Sequence, residues 1–218
     1  MNSVLLQPSK QCFPVGKIIC LGQNYAAHAK EMGAAGAALP VLFLKPSSAI
    51  IPNGADILIP QKSSNVHHEV ELTLLIGVGG KNIPEPDAYG HIAGYGIGLD
   101  MTMRDVQLEA KKNGNPWAVA KGFDTSAPLS DFIERKRIAN PHVLEISLSV
   151  NGVRRQHSST ANMILSIPGI IAYVSSAFTL EPGDVIYTGT PEGVAQVKAG
   201  DVIDAEIRGV GSLHHTVR

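Results

Sequence analysis

Runs of apolar and alternating residues divide the chain into short segments, most of which have the length of β-strands. Strand patterns fall at residues 17–21, 40–48, 56–60, 66–77, 92–99, 144–150, 185–188, 201–208 and 212–217. Helical patterns are fewer, at residues 24–33, 101–112 and 159–178, and in the last of these Pro168 either kinks one helix or begins a second. Asn151-Gly152 predicts a two-residue hairpin turn. The pattern predicts one α+β, β-rich domain with a few short helices.

The strand at residues 66–77 carries two glutamates. Side chains alternate along a strand, so Glu69 and Glu71 point the same way, while the residues between and after them point toward a core. Asp100 ends the next apolar segment and supplies a third carboxylate if that segment is a neighbouring strand. Three carboxylates without a cysteine favour a hard cation, Mg²⁺ or Mn²⁺. The alternative is an exposed edge strand whose glutamates face water.

The helical pattern at residues 24–33 contains a possible acid–base pair. Asn24 is a plausible N-cap, and His28 and Glu31 are three residues apart on one helical face. A carboxylate in that position can orient an imidazole and raise its basicity, which is how such pairs activate water. The alternative is an ordinary surface pair of little energetic value.

Two further polar candidates follow Asp100. Arg104 and Gln107 share one face of the predicted helix at 101–112, where they suit either an anion site or plain helix polarity. Lys121 lies in an apolar stretch of sequence. Either its side chain extends so that the ammonium reaches solvent, or the ammonium has a function in a site. The alternating glycines before Asp100 allow close backbone approach but do not fit a dinucleotide-binding pattern.

Composition narrows the classes of partner. The 218-residue, 23.0 kDa chain has a net charge of -1 and 17% charged residues, so we expect no nucleic-acid partner. No apolar stretch reaches membrane-spanning length, and Cys12 and Cys20 suit a reducing compartment, so we expect a cytoplasmic protein without a membrane partner. Residues 1–16 are predicted to be an N-terminal extension of a domain spanning 17–218.

The order of these motifs resembles one known family. The succession is Gly22-x-Asn24-Tyr25-x-x-His28-x-x-Glu31, Phe43-x-Lys45-Pro46, Glu69-x-Glu71-Leu72, Asp100-x-Thr102-x-Arg104-Asp105-x-Gln107, Lys121-x-Phe123-Asp124 and Gly189-Thr190-Pro191-x-Gly193-Val194. It resembles the fumarylacetoacetate hydrolase family over nearly the whole chain, and within it the acylpyruvase and oxaloacetate decarboxylase subgroup. Ala195 departs from the pattern, since many members carry a further glycine there.

This resemblance implies a mixed β-sandwich roll, a homodimer, and a catalytic domain at residues 17–218. It implies Mg²⁺ or Mn²⁺ at Glu69, Glu71 and Asp100, and a water-activating pair, His28 and Glu31, on a segment that closes over substrate. The remaining implied site residues are Lys121, Arg104, Gln107 and Thr190 around the substrate oxygens, with Lys45 in the same wall.

The implied substrates are 3-acylpyruvates or oxaloacetate, small 2-keto acids that share one intermediate. Hydrolysis of the first, decarboxylation of the second and keto-enol tautomerisation all pass through a pyruvate enolate, which the cation and Lys121 stabilise. A related isomerase or decarboxylase of muconate-type diacids is an alternative within the family. A metal-binding β module without activity is a third reading, and it leaves the other polar residues unexplained.

Overall fold

The computed structural model describes residues 2–33 and 40–218. The strands are β1 (Ser3–Gln7), β2 (Gln11–Pro14), β3 (Lys17–Gly22), β4 (Val41–Pro46), β5 (Ile50–Pro52), β6 (Val66–His68), β7 (Val70–Ile76), β8 (Ile92–Leu99), β9 (Thr102–Met103), β10 (Ala127–Leu129), β11 (Phe132–Glu134), β12 (Glu145–Val150), β13 (Val153–Ser159), β14 (Val185–Tyr187), β15 (Ala195–Val197), β16 (Val202–Ile207) and β17 (Gly211–Thr216). The α-helices are α1 (Ala26–Glu31), α2 (Ala88–His91), α3 (Arg104–Asn113), α4 (Ala118–Lys121) and α5 (Ile167–Ala177). Short 3-10 helices span Ser47–Ala49, Glu85–Asp87, Arg135–Arg137 and Thr160–Asn162.

A large mixed sheet forms the centre of the molecule. Its main path runs β2-β1-β11-β8-β7-β14-β3-β4, and β10 joins β5 to β8 at its side. This sheet curls into a half-barrel. An antiparallel sheet, β13-β12-β16-β17, packs on it through β12 against β7 and β17 against β8. A small third sheet contains β15, β6 and β9. The predicted β-rich α+β class, a mixed sandwich roll with short helices, is confirmed.

The strand β7 lies in the interior and separates two apolar clusters. Leu72, Leu74 and Ile76 pack with the four-stranded sheet and with α5. Leu75 points to the opposite side, where it joins the cluster that contains Cys20 and Tyr187. Because side chains alternate along a strand, Glu71 lies on the same face as Leu75. The carboxylate therefore emerges within the core of the protein and away from solvent.

The glycines of β8 allow aromatic rings to approach the sheet. Gly98 pairs directly with Glu71, and a Cβ on Gly98 would lie 2.5 Å from a ring carbon of Tyr187. The Tyr187 hydroxyl donates a hydrogen bond of 3.1 Å to the carbonyl of Pro128. The predicted close approach is thus made by Tyr187 at Gly98, by Phe132 and Thr73 at Gly96, and by the Ile133 carbonyl and Leu6 at Gly94.

Two strand predictions were wrong. The strand predicted at 66–77 is interrupted at Glu69, so that β6 joins the small sheet while β7 joins the large one. Residues 56–60 form an isolated bridge, from Ile57 to Val217, in place of the predicted strand. Ile57 and Ile59 exchange backbone hydrogen bonds with residues 216 and 218, but the pairing does not extend into a ladder.

Other local predictions concern caps and turns. Asn24 does not cap α1, whose N-cap is Tyr25; instead the Asn24 amide donates to Thr188 O at 2.8 Å. Pro168 does not kink a helix but is the second residue of α5, after the N-cap Ser166 and Ile167. Of the predicted helical segment 159–178, only Ile167–Ala177 is α-helical, and Thr160–Asn162 is a 3-10 turn. The Asn151-Gly152 turn joins β12 to β13 as predicted.

The N-terminal hairpin is part of the large sheet. Within it β1 pairs antiparallel with β2 and parallel with β11, and Val4, Leu6 and Phe13 are buried in the core. Among the described residues, no helix is both long and apolar enough to cross a membrane.

Candidate active site

Three buried carboxylates meet where β6, β7 and β8 converge. One ligand oxygen each from Glu69, Glu71 and Asp100 lies within 4.8 Å of the others. Asp100 follows β8, the antiparallel neighbour of β7, as the sequence predicted. Glu69 and Glu71 are 4% and 1% exposed, and β7 has a strand on either side, so the exposed edge alternative is excluded.

Glu69 is held by two cationic side chains. Arg104 Nη2 contacts Oε1, and Lys121 Nζ donates to Oε2 at 2.8 Å. Burial by itself would raise the pKa of Glu69, but Lys121 and Arg104 together hold the pKa of this carboxyl far below its ordinary value. Glu69 is therefore ionised at neutral pH.

Glu71 has a different environment. Its Oε2 accepts a 2.6 Å hydrogen bond from the Gly189 amide. Burial and the neighbouring charges of Asp100 and Glu69 raise the pKa of Glu71 well above its ordinary value. Carboxylates this close repel one another, so an added positive charge between them would be strongly favoured.

Asp100 has one oxygen that accepts no hydrogen bond. Its Oδ2 accepts from Lys121 Nζ at 2.6 Å. Its Oδ1 lies 2.8 Å from Lys45 Nζ, an ammonium that also contacts the carbonyls of Met101, Ser126 and Lys121. Oδ1 is buried and has this ion-pair contact, but it accepts no hydrogen bond of good geometry. Three carboxylate oxygens, one of them without a donor, fit a hard divalent cation.

Lys45 lies behind this site. Its side chain is fully buried, and it is not among the residues that line the adjoining cavity. Its contacts favour the role of holding Asp100 and the backbone after α4 in place, in preference to the substrate contact that the sequence suggested.

The predicted acid–base pair is formed on α1. His28 Nδ1 lies 3.1 Å from Glu31 Oε2, and Glu31 Oε1 accepts from the Gly193 amide, also at 3.1 Å. Gly193 has a φ of +94°, and a Cβ there would lie 2.1 Å from the Arg155 carbonyl oxygen, so only glycine fits. With Nδ1–H donated to Glu31, the Nε2 lone pair of His28 is left to act as a base.

One cavity lies between His28 and Glu69. Its buried lining residues include Arg104, Gln107 and Lys121, and Met32, directly after α1, also lines it. The open space is about 30 Å³, enough for about two water molecules. Because this space is smaller than an organic acid, we expect lining side chains to shift when a larger ligand binds. The segment predicted to close, residues 24–38, extends into residues 34–38, which lie outside the described residues.

Arg104 and Gln107 are in contact, as their spacing predicted. Arg104 Nη1 donates to Gln107 Oε1 at 2.7 Å. Arg104 Nε is buried and has no acceptor within residues 2–33 and 40–218. A buried donor without a partner is costly, so an oxygen of a bound anion would stabilise it.

Thr190 lies in the loop that follows β14, and its contact with substrate oxygens stays a prediction. Its hydroxyl donates to Val70 O at 2.9 Å and accepts from Gln156 Nε2 at 2.8 Å, and it is not part of the cavity lining. These contacts fix the loop that supplies the Gly189 amide. Gln156 was missed by the sequence analysis because it stands within an otherwise ordinary hairpin strand, yet its Oε1 also accepts from the Val70 amide at 3.1 Å.

Two other lining residues were missed at the outer end of the cavity. Trp117 and Lys111 lie there, and Lys111 Nζ stands 4.9 Å from the centre of the Trp117 ring. A signal was present for Lys111, since residues 104, 107 and 111 have the spacing of one helical face.

A strand-rich fold with a buried carboxylate triad, a lysine and a histidine–glutamate pair at one cavity is typical of cation-dependent enzymes that act on small oxygen-rich substrates. The family model of the fumarylacetoacetate (FAA) hydrolase C-terminal domain matches residues 17–218. The chain belongs to the fumarylacetoacetate hydrolase family, whose members are enzymes acting on carbon–carbon bonds, so the resemblance of its motifs is confirmed.

Three relatives illustrate the range of activities. The chain is 50% identical over 213 residues to the mitochondrial oxaloacetate tautomerase FAHD1 of Mus musculus, covering 97% of this chain and 96% of the relative. It is 40% identical to fumarylpyruvate hydrolase from Pseudomonas aeruginosa, solved with Mn²⁺ and pyruvate, with a TM-score of 0.96 over 99% and 95% of the two chains. It is 41% identical to 5-carboxymethyl-2-hydroxymuconate delta-isomerase from Mycobacterium smegmatis, with a TM-score of 0.84 over 94% and 79%.

Proposed function

We propose that this protein is a homodimeric enzyme that uses Mg²⁺ or Mn²⁺ to act on small 2-oxo acids through a pyruvate enolate. The observation that carries the proposal is the buried triad Glu69, Glu71 and Asp100, of which Glu69 lines a cavity together with Lys121 and His28. By their names, two of the relatives described above act on oxaloacetate and fumarylpyruvate, which are both 2-oxo acids.

The cation would be held by Glu69, Glu71 and Asp100. When bound, a divalent cation supplies a Lewis acid that polarises the 2-oxo group and stabilises negative charge on its oxygen. Two observations support this assignment. Asp100 Oδ1 accepts no hydrogen bond, and burial together with the neighbouring carboxylates raises the pKa of Glu71. The Pseudomonas aeruginosa relative contains Mn²⁺ and pyruvate.

The substrate would be oriented by Arg104, Gln107 and Lys121. The unpartnered Nε of Arg104 suits a substrate carboxylate oxygen, and Gln107 beside it offers an amide. Lys121 donates hydrogen bonds to Glu69 and Asp100 through its ammonium group, whose third proton is available to a substrate oxygen. Its charge stabilises the enolate as the enolate forms, which lowers the barrier more than it stabilises the substrate.

Three reactions then depend on an enolate at the same place. In acylpyruvate hydrolysis, His28 takes a proton from water, the hydroxide adds to the distal carbonyl, and the bond to C3 breaks with its electron pair moving into the pyruvate enolate. Protonation at C3 completes pyruvate, and the distal part leaves as an acid. Oxaloacetate reaches the pyruvate enolate by losing CO₂, whereas its tautomerisation passes through the enolate of oxaloacetate itself and only moves a proton between C3 and the 2-oxygen. Hydrolase, lyase and isomerase activities are thus proposed for one site.

The muconate-type isomerase is the second candidate. Its support is the 41% identity to the Mycobacterium smegmatis isomerase. That activity shifts a double bond and needs no attack by water, so an intact hydrolytic pair is not required. Substrate profiling with muconate-type diacids and with acylpyruvates separates the two.

The homodimer is supported by an exposed sheet edge. Among the described strands β4 pairs with β3 alone, and on β4 Val41 and Leu44 are 39% and 43% exposed. An unpaired apolar edge is stabilised by pairing with a second copy. Sedimentation equilibrium tests this, and a mass equal to one 23.0 kDa chain contradicts it.

The cytoplasmic location stays a prediction. It rests on the two free cysteines, Cys12 and Cys20. The name of the mouse relative places that protein in mitochondria. Cell fractionation of the source organism distinguishes the compartments.

The experiment that tests the activity is a turnover screen. Enol-oxaloacetate, keto-oxaloacetate, acetylpyruvate and fumarylpyruvate are supplied with Mg²⁺, with Mn²⁺ and with EDTA. We expect turnover of at least one substrate that depends on the cation. Turnover that is equal in EDTA removes the cation from the proposal, and no turnover of any of the four rejects the activity.

A further inference from the structure

A row of polar residues runs along one face of α3 from the floor of the cavity to its mouth. Arg104, Gln107 and Lys111 are spaced by three and four residues, and all three line the cavity. Arg104 and Gln107 are buried, whereas Lys111 is exposed. Seven helical residues cover about 10 Å, so Lys111 lies roughly that far along the helix axis from Arg104.

An aromatic wall separates two ammonium groups in this cavity. Lys121 Nζ lies 4.8 Å from the centre of the Phe43 ring, and Lys111 Nζ lies 4.9 Å from that of Trp117. The two rings are in contact, with centroids 5.8 Å apart. The inner ammonium belongs to the carboxylate site, and the outer one is held over an indole face that favours a cation.

The outer ammonium differs from the other cations of the cavity in having no anionic partner. Arg104 and Lys121 both contact Glu69, and His28 contacts Glu31. No carboxylate of the described residues lies within ion-pair distance of Lys111 Nζ. Although the residue is exposed as a whole, its ammonium is partly desolvated, and this together with the charges of Arg104 and Lys121 lowers the pKa of Lys111. An incoming anion relieves this electrostatic situation.

We infer that Lys111 is a specificity residue, which binds a carboxylate at the distal end of the substrate and selects dicarboxylic 2-oxo acids over those with an uncharged tail. This inference rests on the proposed function, because it takes the 2-oxo acid end to lie at the buried triad. The uncharged middle of the substrate would lie against the aromatic wall formed by Phe43 and Trp117. Tails that end in a methyl group meet the same wall without an ionic contact.

The first test compares two substrates that undergo the same reaction. Fumarylpyruvate ends in a carboxylate, and acetylpyruvate ends in a methyl group. We expect Lys111→Met to lower kcat/KM for fumarylpyruvate about 10–100-fold, mainly by raising KM, because one charged hydrogen bond to the substrate is lost. The kcat/KM for acetylpyruvate should be nearly unchanged. Lys111→Arg should recover most of the loss, and Lys112→Met, the exposed neighbour on the same helix, should change neither substrate. Equal losses for both substrates, or none for either, overturn the inference.

The second test needs no turnover. Calorimetry with Mn²⁺ present measures binding of 2-oxoheptanedioate and 2-oxoheptanoate, which share the seven-carbon chain length of fumarylpyruvate and differ only in a terminal carboxylate or methyl. We expect the wild type to prefer 2-oxoheptanedioate, and Lys111→Met to lose that preference. Added salt should shrink the preference, since the contact lies near solvent. A wild type without the preference, or a preference that survives Lys111→Met, overturns the inference. A wild type that binds with the preference but turns over no substrate refutes the proposed function alone.

Discussion

Lys45 Nζ and Asp100 Oδ1 lie 2.8 Å apart as a buried ion pair, and the same ammonium contacts three backbone carbonyls. The two charges compensate each other in the interior of the protein. Removing the ammonium leaves Asp100 with Lys121 as its remaining cationic partner and takes the Lys45 donor away from the Met101 carbonyl. We expect Lys45→Met to lower the free energy of unfolding by about 3–5 kcal/mol, measured by urea denaturation. Lys112→Met, a change of the same type on the surface of α3, should stay within about 0.5 kcal/mol of the wild type. Equal stabilities of the two variants would contradict the buried role of Lys45.

A neutral side chain at position 71 should separate stability from cation binding. Glu71→Gln keeps an oxygen for the Gly189 amide and removes the repulsion from Asp100 and Glu69. Without added cation, we expect the variant to melt at or above the temperature of the wild type. The rise in melting temperature that Mg²⁺ or Mn²⁺ gives the wild type should be absent, because an anionic ligand is lost. A variant that is stabilised by the cation as strongly as the wild type removes Glu71 from the metal assignment.

His28 and Lys121 should affect the reactions differently. Hydrolysis needs a base for water, so His28→Ala should reduce acetylpyruvate hydrolysis by a factor of about 10²–10⁴. Oxaloacetate decarboxylation should fall less, because it needs no water nucleophile. Lys121→Ala should depress both, since both pass through the enolate; thermal melting checks that this variant remains folded. Equal losses of both activities in His28→Ala would mean that the pair positions substrate or closes the cavity.

Gly98 and Gly90 offer a matched pair of glycine substitutions. At Gly98 a Cβ would be 2.5 Å from Tyr187, whereas at Gly90 it meets nothing within 4 Å. We expect Gly98→Ala to cost about 1–3 kcal/mol of stability and to weaken cation binding, because Glu71 is its partner in the ladder. Gly90→Ala in α2 should be neutral or slightly stabilising. Chemical denaturation and calorimetric titration with Mn²⁺ measure the two effects, and a harmless Gly98→Ala would mean that Tyr187 can move aside.

His215 should make stability depend on pH. Its Nδ1 lies 2.7 Å from Ala55 O and its Nε2 is buried without a partner, and burial together with His214 lowers the pKa of His215 below its ordinary 6.5. The unfolded chain therefore takes up a proton as the pH falls below 6.5, while the folded chain resists it until the lowered pKa is reached.

The stability that His215 contributes is therefore complete above about pH 6.5 and declines below it. For one group, this decline is at most about 1.4 kcal/mol per pH unit. Urea denaturation between pH 7.5 and 5.5 should show a smaller decline in His215→Gln than in the wild type. His214→Gln, at the exposed neighbouring position, serves as the control. Identical slopes in all three proteins would contradict the assignment.

The sequence predicted those parts of the site that depend on local geometry. The Arg104–Gln107 and His28–Glu31 contacts follow from helical spacing, and Asp100 follows from the order of two adjacent strands. It did not predict the break at Glu69, because the alternation of polar and apolar residues continues through it while the strand changes sheets.

Contacts between distant segments escaped the sequence analysis for a physical reason. The three carbonyls around Lys45, the place of Thr190 and the network of Gln156 all depend on tertiary packing, which no residue spacing encodes. Lys111 is an intermediate case. Its position on the same helical face as Arg104 and Gln107 could be predicted from the spacing, but its contact with Trp117 depends on tertiary packing.

The position of β14 between β3 and β7 has a consequence for biosynthesis. Val185 of this strand pairs in parallel with Ile18, and the Gly189 amide that follows the strand donates to Glu71. Pairings this distant in sequence form slowly, and they cannot form on the ribosome before residue 189 has emerged. We therefore expect a nascent chain to carry all three carboxylates long before it can hold a cation, so that metal loading follows completion of the chain.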